Sequence, residues 1–328
     1  MPKPTQVGLD IGSYSIKIIE ISLRKKTPEL INCDIKPISN NVTLEEKINF
    51  IKNFYKELGI TNNQVNISIC GKNVIVRYAT FSYMSKNMLI NSLKFEYGKY
   101  IPFSLEESIV DVDILEKTPD DKMNVLIVAA KKNYIEEKVN FLKQIGVIPK
   151  TITVNTIALY KAFLKSEYFS KNSSFIIINI GATITNLLII NKNIPIFSRD
   201  INIGGENFTR FISEKMNLSF KEAEDFKINL KDRTSLENVL LPQLKLLTNE
   251  INLFIEYVKK NYNLKNIECV YLSGGSSKLN GLIEFLENNL NLKVNLWNPF
   301  TIFKNSKKFK VLENFYPELI LPLGTALS

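Results

Sequence analysis

The sequence predicts an α/β protein made of two related lobes that face each other across a cleft. Three observations carry this expectation. A strand–turn–strand opening occurs twice, near 7–21 and again near 175–190, at half-chain distance. A later strand, Cys269 to Leu272, runs into the Gly-Gly turn Gly274-Gly275 and then into a helical stretch. The length of 328 residues exceeds what one small core accommodates, so two or more subdomains are expected.

The first opening reads Val7-Gly8-Leu9-Asp10-Ile11-Gly12-Ser13-Tyr14-Ser15-Ile16-Lys17 and continues to Ile21. An apolar strand ends on a carboxylate, small and hydroxylated residues follow, and a second strand carries a lysine. Such a turn can aim backbone N–H groups at a polyphosphate. Asp10 would hold a metal-bound water and Lys17 would neutralise oxygens. An ordinary hairpin with a polar turn uses the same residue types, so the reading depends on partner motifs downstream.

Between the two openings the patterns give a strand from Glu29 to Lys36 and a helix from about Leu44 to Leu58, stopped by Gly59. Strands follow at Val65–Cys70 and Val74–Thr80, then a helix from Met84 to Tyr100 ended by Ile101-Pro102. Ser108–Glu116 and Met123–Ala130 read as strands, and Asn133–Ile145 as a helix with Gly146 as its cap. Val154–Leu164 is helix-like. The second opening then runs from Phe175 to Ile180, turns through Gly181-Ala182-Thr183 and returns along Thr185–Ile190. A third strand, Ile194–Arg199, precedes helices at Glu206–Met216, Phe220–Asn229 and about Leu236–Asn261, and a last helix spans Leu279–Leu290.

Composition narrows the function classes. There is no His, and Cys33, Cys70 and Cys269 stand far apart, so His-based catalysis, a structural zinc site and a disulfide framework are not expected. No run approaches the roughly 20 apolar residues of a membrane span. Met1-Pro2-Lys3-Pro4-Thr5 lacks a signal-peptide core, and a cytoplasmic protein is expected. A net charge of +9 suits nucleic acid or an anionic surface, but the lysines are spread along the chain without a basic, aromatic-interleaved stripe. Nucleic-acid binding is therefore not expected, while weak attraction to an acidic inner leaflet stays open.

Two hairpins facing across a cleft can clamp a phosphate tail from both sides, and a Gly-Gly turn lets backbone lie close to the base end. With these residues on the page, the chain resembles the actin-like ATPase superfamily. Within it, the chain resembles the PilM family of type IV pilus assembly proteins, relatives of the division protein FtsA. Asp10 to Lys17 resembles the first phosphate motif, Asn179 to Thr185 the second, and Leu272 to Leu282 the adenosine motif. Ala223-Glu224-Asp225-Phe226-Lys227 resembles the helix whose Glu and Lys approach ribose and base. Features resembling PilM are Phe95–Glu107, the unit Val125–Lys132 with Val139–Gly146, and the strand and Gly-Gly turn Ile194–Gly205.

The resemblance implies an actin-like, ribonuclease H-like duplicated fold: two lobes, a nucleotide cleft and an FtsA-type inserted subdomain. Residues 1–79 with 151–171 would form the first lobe core and 80–150 the insert. Residues 172–207 with 266–328 would form the second lobe core, and 208–265 its helical subdomain. It implies ATP and Mg²⁺ as ligands, with Asp10 the metal-side residue through a water. The implied nucleotide contacts are Asp10, Gly12, Ser13, Tyr14, Ser15, Lys17, Asn179, Gly181, Ala182, Thr183, Gly204, Gly205, Glu224, Lys227, Gly274, Gly275, Ser276 and Lys278.

Two departures bear on catalysis. The second hairpin starts with Asn179 where the superfamily has Asp, and Asn155 stands where Glu is expected in PilM relatives. An amide hydrogen-bonds but brings no charge to Mg²⁺ and cannot accept a proton as a base. Asp10, Asn155 and Asn179 are thus the metal- and water-side candidates, and hydrolysis is expected to be weak or absent. The alternative is that Glu206 or Asp200 substitutes.

The resemblance further implies a scaffold that captures the short cytoplasmic tail of a PilN-like single-span membrane protein near 80–150. Phe81, Tyr83, Phe95, Tyr97, Tyr100 and Phe103 could line such a groove or fill the subdomain's own core. Other pilus assembly ATPases or platform proteins and self-association belong to the same expectation. Leu321 to Ser328 resembles the start of a terminal helix without an amphipathic extension, so membrane contact is expected to be indirect. Competing readings are an FtsA- or MreB-like filament-forming ATPase, and a sugar kinase or chaperone-type ATPase on the same fold.

Overall fold

The computed structural model describes residues 5–23, 27–38, 42–262, 264, 266–304, 309 and 316–328; Met1–Pro4, read above for a leader, lie outside them. The first half runs β1 (Thr5–Ile11), β2 (Ser15–Ser22), β3 (Glu29–Pro37), α1 (Leu44–Glu57), β4 (Gln64–Ile69), β5 (Val74–Ser82), α2 (Lys86–Phe95) and α3 (Tyr97–Tyr100). It continues through β6 (Ser108–Lys117), β7 (Lys122–Lys131), α4 (Lys132–Ile145), β8 (Ile148–Val154) and α5 (Asn155–Lys165). The second half runs β9 (Ser174–Ile180), β10 (Thr185–Asn191), β11 (Ile194–Ile201), α6 (Gly205–Met216), α7 (Phe220–Ile228) and α8 (Arg233–Tyr262). It ends with β12 (Cys269–Ser273), α9 (Leu282–Leu290), β13 (Val294–Leu296) and α10 (Ile320–Ala326).

Two five-stranded sheets have the same topology, β3-β2-β1-β4-β8 in the first lobe and β11-β10-β9-β12-β13 in the second. In each, three strands run antiparallel and a fourth joins the first strand in parallel, β4 on β1 and β12 on β9. Strand β9, Ser-Phe-Ile-Ile-Ile-Asn-Ile, is buried throughout, as a central strand covered on both faces must be. One face meets α6–α9. The other meets a core shared with the first lobe, where Phe163, Phe175, Tyr271 and Trp297 pack edge-on or tilted around α5 and α10.

The crossing of α5 and α10 depends on small residues. A Cβ added at Gly324 would stand 1.9 Å from the Ala158 carbonyl oxygen, and one added at Gly8 would stand 1.8 Å from that of Pro322. Backbone therefore packs on backbone where strand β1, α10 and α5 meet.

The third sheet, β5-β7-β6, carries α2 and α3 on one face. It begins earlier and ends sooner than the 80–150 read from sequence. Strand β5 pairs with β7 along its full length from Val74, while Leu142 and Ile145 of α4 are buried in the first-lobe core beside α1. The unit thus spans 74–131, because sheet pairing, and not the hydrophobic pattern, sets where β5 belongs. The helix expected over 84–100 breaks at Glu96, which leaves helical geometry at φ −107° and ψ 18°. The break turns Tyr97 inward, where its hydroxyl meets Ser108, and leaves Phe95 92% exposed. Phe81 and Tyr100 pack against each other at 5.6 Å, Phe103 lies under Lys131, and Tyr83 stays exposed.

Candidate functional site

The seven-residue spacing of Asp10 and Lys17 becomes a cross-strand pair in the β1–β2 register. Lys17 Nζ donates to Asp10 Oδ2 at 2.8 Å, and Gly12 N closes the turn on the Ser15 carbonyl at 3.1 Å. A Cβ on Gly12 would stand 2.9 Å from the Ser15 oxygen, so the turn needs a residue without one. The second hairpin repeats each part: Asn179 pairs with Asn186 in the β9–β10 register, and Gly181 N closes on the Ile184 carbonyl at 3.0 Å. Where the first hairpin holds Asp with Lys, the second holds Asn with Asn.

Strand pairing then brings a row of polar side chains together: Asp200 on β11, Asn186 on β10, Asn179 on β9 and Ser273 on β12. Ser273 Oγ donates to Asn179 Oδ1 at 3.1 Å, and Asn179 Nδ2 donates to Asn186 Oδ1 at 3.0 Å. Asn186 Nδ2 donates to Asp200 Oδ1 at 2.7 Å. Asn155 Nδ2, at the start of α5, reaches the same Asn186 oxygen at 3.1 Å, and Gly71 N donates to Asp200 Oδ2 at 2.7 Å. The row therefore ends on the first lobe at two points.

The N-terminus of α6 is stitched to the second turn, Gly205 N to Gly181 O at 2.9 Å and Glu206 N to Ala182 O at 2.7 Å. A Cβ on Gly204 would stand 2.5 Å from the Ala182 oxygen. Opposite, Gly274 at φ +85° brings its Cα so close to β9 that a Cβ would meet the Ile180 oxygen at 2.4 Å. After it comes a 3₁₀ turn, Gly275–Lys278, so the α-helix expected from Leu279 starts only at Leu282, past Gly281 at φ +84°. Lys278 Nζ pairs with Glu318 at 2.6 Å. On α6 and α7, Lys227 Nζ reaches Glu224 Oε2 and Thr209 Oγ1, both at 2.7 Å, and the Gly205 carbonyl at 3.1 Å. Burial lowers the Lys227 proton affinity, and Glu224 acts against that shift.

These elements enclose a cleft of about 740 Å³ between the lobes. That lies within the range of small-molecule and cofactor sites, ~300–1,000 Å³. Every residue expected to contact nucleotide lines it except Gly204, which stands behind the wall as a spacer between α6 and the second turn. Asn155 lines it too. The Tyr14 phenol pKa is raised by burial and then by Glu224, Asp225 and Glu318, so it stays a neutral donor at the mouth. Sequence reasoning missed Asn186, Cys70, Tyr134, Lys138, Phe220, Ile228 and Glu318, all of which line the cleft. Asn186 had a signal, since it repeats the Lys17 position seven residues after the motif's first polar residue.

The expected metal positions are poorly suited to hold Mg²⁺. Among the described residues, no group of three or more Asp, Glu, Cys or His could hold a metal ion. Asn179 has its amide and its carbonyl oxygen committed to the row. Of the two expected substitutes, Asp200 accepts hydrogen bonds at both oxygens and does not line the cleft. Glu206 lines it, but in the field of Lys227, on the side of the Glu224–Lys227 pair. The donor set therefore does not fit a protein-seated Mg²⁺.

A family profile of type IV pilus assembly protein PilM matches residues 8–328. A solved PilM–PilN type IV pilus biogenesis complex superposes with a TM-score of 0.86 at 24% identity, covering 99% of this chain and 98% of that one. The ethanolamine utilization protein EutJ of Carboxydothermus hydrogenoformans gives 0.56 at 17% identity, with 100% and 90% covered. MreB5 of Spiroplasma citri, solved with AMPPNP, gives 0.55 at 13% identity, with 99% and 96% covered. These likenesses carry the fold, which is actin-like, with two lobes. The profile spans nearly the whole chain, and with it the chain belongs to the PilM family of type IV pilus assembly proteins.

Proposed function

We propose that the chain is an ATP-binding scaffold of the inner-membrane assembly platform of a type IV pilus or related secretion machine. The observation that supports this best is the pair of hairpins with identical closure, Gly12 on Ser15 and Gly181 on Ile184, facing one cleft in a chain of this family. Asp10, Lys17 and the two turns would take the phosphates. Glu224 and Lys227 would take the ribose side, and Gly274–Lys278 the adenosine side. Magnesium would arrive on the phosphates, with Asp10 contacting one of its waters. Hydrolysis is weak or absent, because Asn155 and Asn179 supply neither a base nor a metal-facing charge.

The three-stranded unit with α2 and α3, residues 74–131, would hold the cytoplasmic tail of a PilN-like single-span protein, as the related complex contains PilN. Its exposed Phe95 and Tyr83 favour a docking role, and Tyr97 belongs to the core. No helix among the described residues is long and apolar enough to cross a membrane, so the chain would sit on the cytoplasmic face through its partner. Contacts with other pilus ATPases or platform proteins and self-association fit the same role. The test combines calorimetric ATP binding, co-purification with a PilN-like tail peptide, and single-turnover hydrolysis. ATP and peptide are expected to bind, with turnover slower than minutes. Loss of both bindings, or hydrolysis within seconds, would overturn the reading.

A further inference from the structure

We infer that Lys138 is the cation which the phosphate end of the cleft uses in place of a protein-held divalent metal. The chain would then retain a nucleoside triphosphate without Mg²⁺, and Lys138 would set its preference for triphosphate over diphosphate. This rests on the reading that ATP occupies the cleft.

The first support is the polar row. Asp200 accepts from Asn186 at one oxygen and from Gly71 N at the other, so it fixes which end of the Asn186 amide faces it. The Asn186 oxygen must then face Asn179 and Asn155, and both must present NH₂ groups to it. The two amides standing where metal-side carboxylates were expected are thus held by donor contacts that an ionised carboxylate could not make. Carboxylates there would repel a metal-free triphosphate, whereas amides do not. The remaining carboxylate, Asp10, is already paired with Lys17.

The second support is the opposite wall. Tyr134 and Lys138 lie one turn apart on α4 and both line the cleft, with Phe141 and Leu142 one turn further on. Lys138 is half-buried, its ammonium lies 5.4 Å from the centre of the Tyr134 ring, and it makes no ion pair among the described residues. The other cleft lysines are all paired, Lys17 with Asp10, Lys227 with Glu224 and Lys278 with Glu318. Its place along the cleft follows from its neighbours. Phe141 and Leu142 of the same helix pack in one core with Leu9, the residue before Asp10, and the Cys70 thiol feels Asp200, Asp10 and Lys138 together, so this stretch of α4 borders the Asp10 side of the cleft. Behind it is Lys47 on α1, whose proton affinity burial lowers most and Lys138 lowers further. Lys138 thus has a second cation near it and no ion-pair partner among the described residues. A bound triphosphate would supply the missing anion, and its terminal group carries charge that a diphosphate lacks.

Calorimetric titration of ATP and ADP into the purified chain, with Mg²⁺ and with EDTA, tests the inference on wild type, K138Q and K138R. Wild type is expected to lose less than about tenfold in ATP affinity on chelation. In EDTA, K138Q should lose about tenfold for ATP and at most about threefold for ADP, with K138R restoring most of the loss. Thermal unfolding of each variant checks that it is folded. The inference is overturned if EDTA abolishes ATP binding to wild type, or if K138Q weakens ATP and ADP equally. If neither nucleotide binds in either buffer, the ATP reading itself fails, which is a different result from binding in Mg²⁺ alone.

Discussion

At the scale of single residues, the pair Asn179–Asn186 decides the character of the site. The amides sit in the register that holds Asp10 and Lys17 in the other hairpin, and Asp200 orients them. Changing Asn179→Asp sets a carboxylate against the Asn186 oxygen and removes a donor from a buried row. The expected cost is about 1–3 kcal/mol of stability, read by chemical or thermal unfolding. Hydrolysis should not rise, because the new charge is not free to face a metal. The double change N179D/N186K rebuilds the Asp–Lys pairing and should recover part of the loss; an unchanged midpoint in the single variant would contradict this account. Asn179 was legible in sequence because it departs from a recognisable motif. Lys138 was not, since a helical lysine gives no sign that its face of α4 lines a cleft.

At the scale of elements, helix α1 was readable from its apolar spacing and from Gly59 after it, while its start is fixed by Thr43, whose hydroxyl accepts from Glu46 N at 3.2 Å and whose N–H donates to Glu46 Oε2 at 2.7 Å. The hairpins were readable because their turns need glycine. Helix α10 was harder, since Ile-Leu-Pro-Leu-Gly-Thr-Ala has no polar face and is buried throughout. Its role depends on Gly324 passing the Ala158 carbonyl of α5. A methyl there cannot fit without separating the two helices, so Gly324→Ala should destabilise by about 3 kcal/mol, at the upper end of overpacking costs. The measurement is the thermal midpoint; a loss below that of an ordinary surface substitution would show that the crossing relaxes freely.

At the scale of the whole molecule, the lobes meet through the shared apolar core around Phe163 and through a few polar contacts beside the cleft. Gly71 N reaches Asp200 and Asn155 reaches Asn186, while from the third-sheet unit the Tyr78 hydroxyl on β5 donates to Ser198 at 3.3 Å. Asp200→Asn can accept from only one of its two present donors and turns an NH₂ toward the other. Hydrogen exchange at the Gly71 amide should accelerate by about tenfold, the equivalent of one net hydrogen bond, while central β9 amides change little. Equal acceleration in both would mean global destabilisation and not loosening between lobes. The sequence by itself determined the duplication, the glycine turns, the order of the motifs and the two missing carboxylates, because periodicity, backbone freedom and side-chain charge are local properties. Only the tertiary structure decided that β5 belongs to the third sheet, that Asp200 orients three amides, and that Lys138 lines the cleft. Those depend on strand register and helix rotation, which bring together residues far apart in the chain, such as Gly71 and Asp200, 129 positions apart, and which no local pattern encodes.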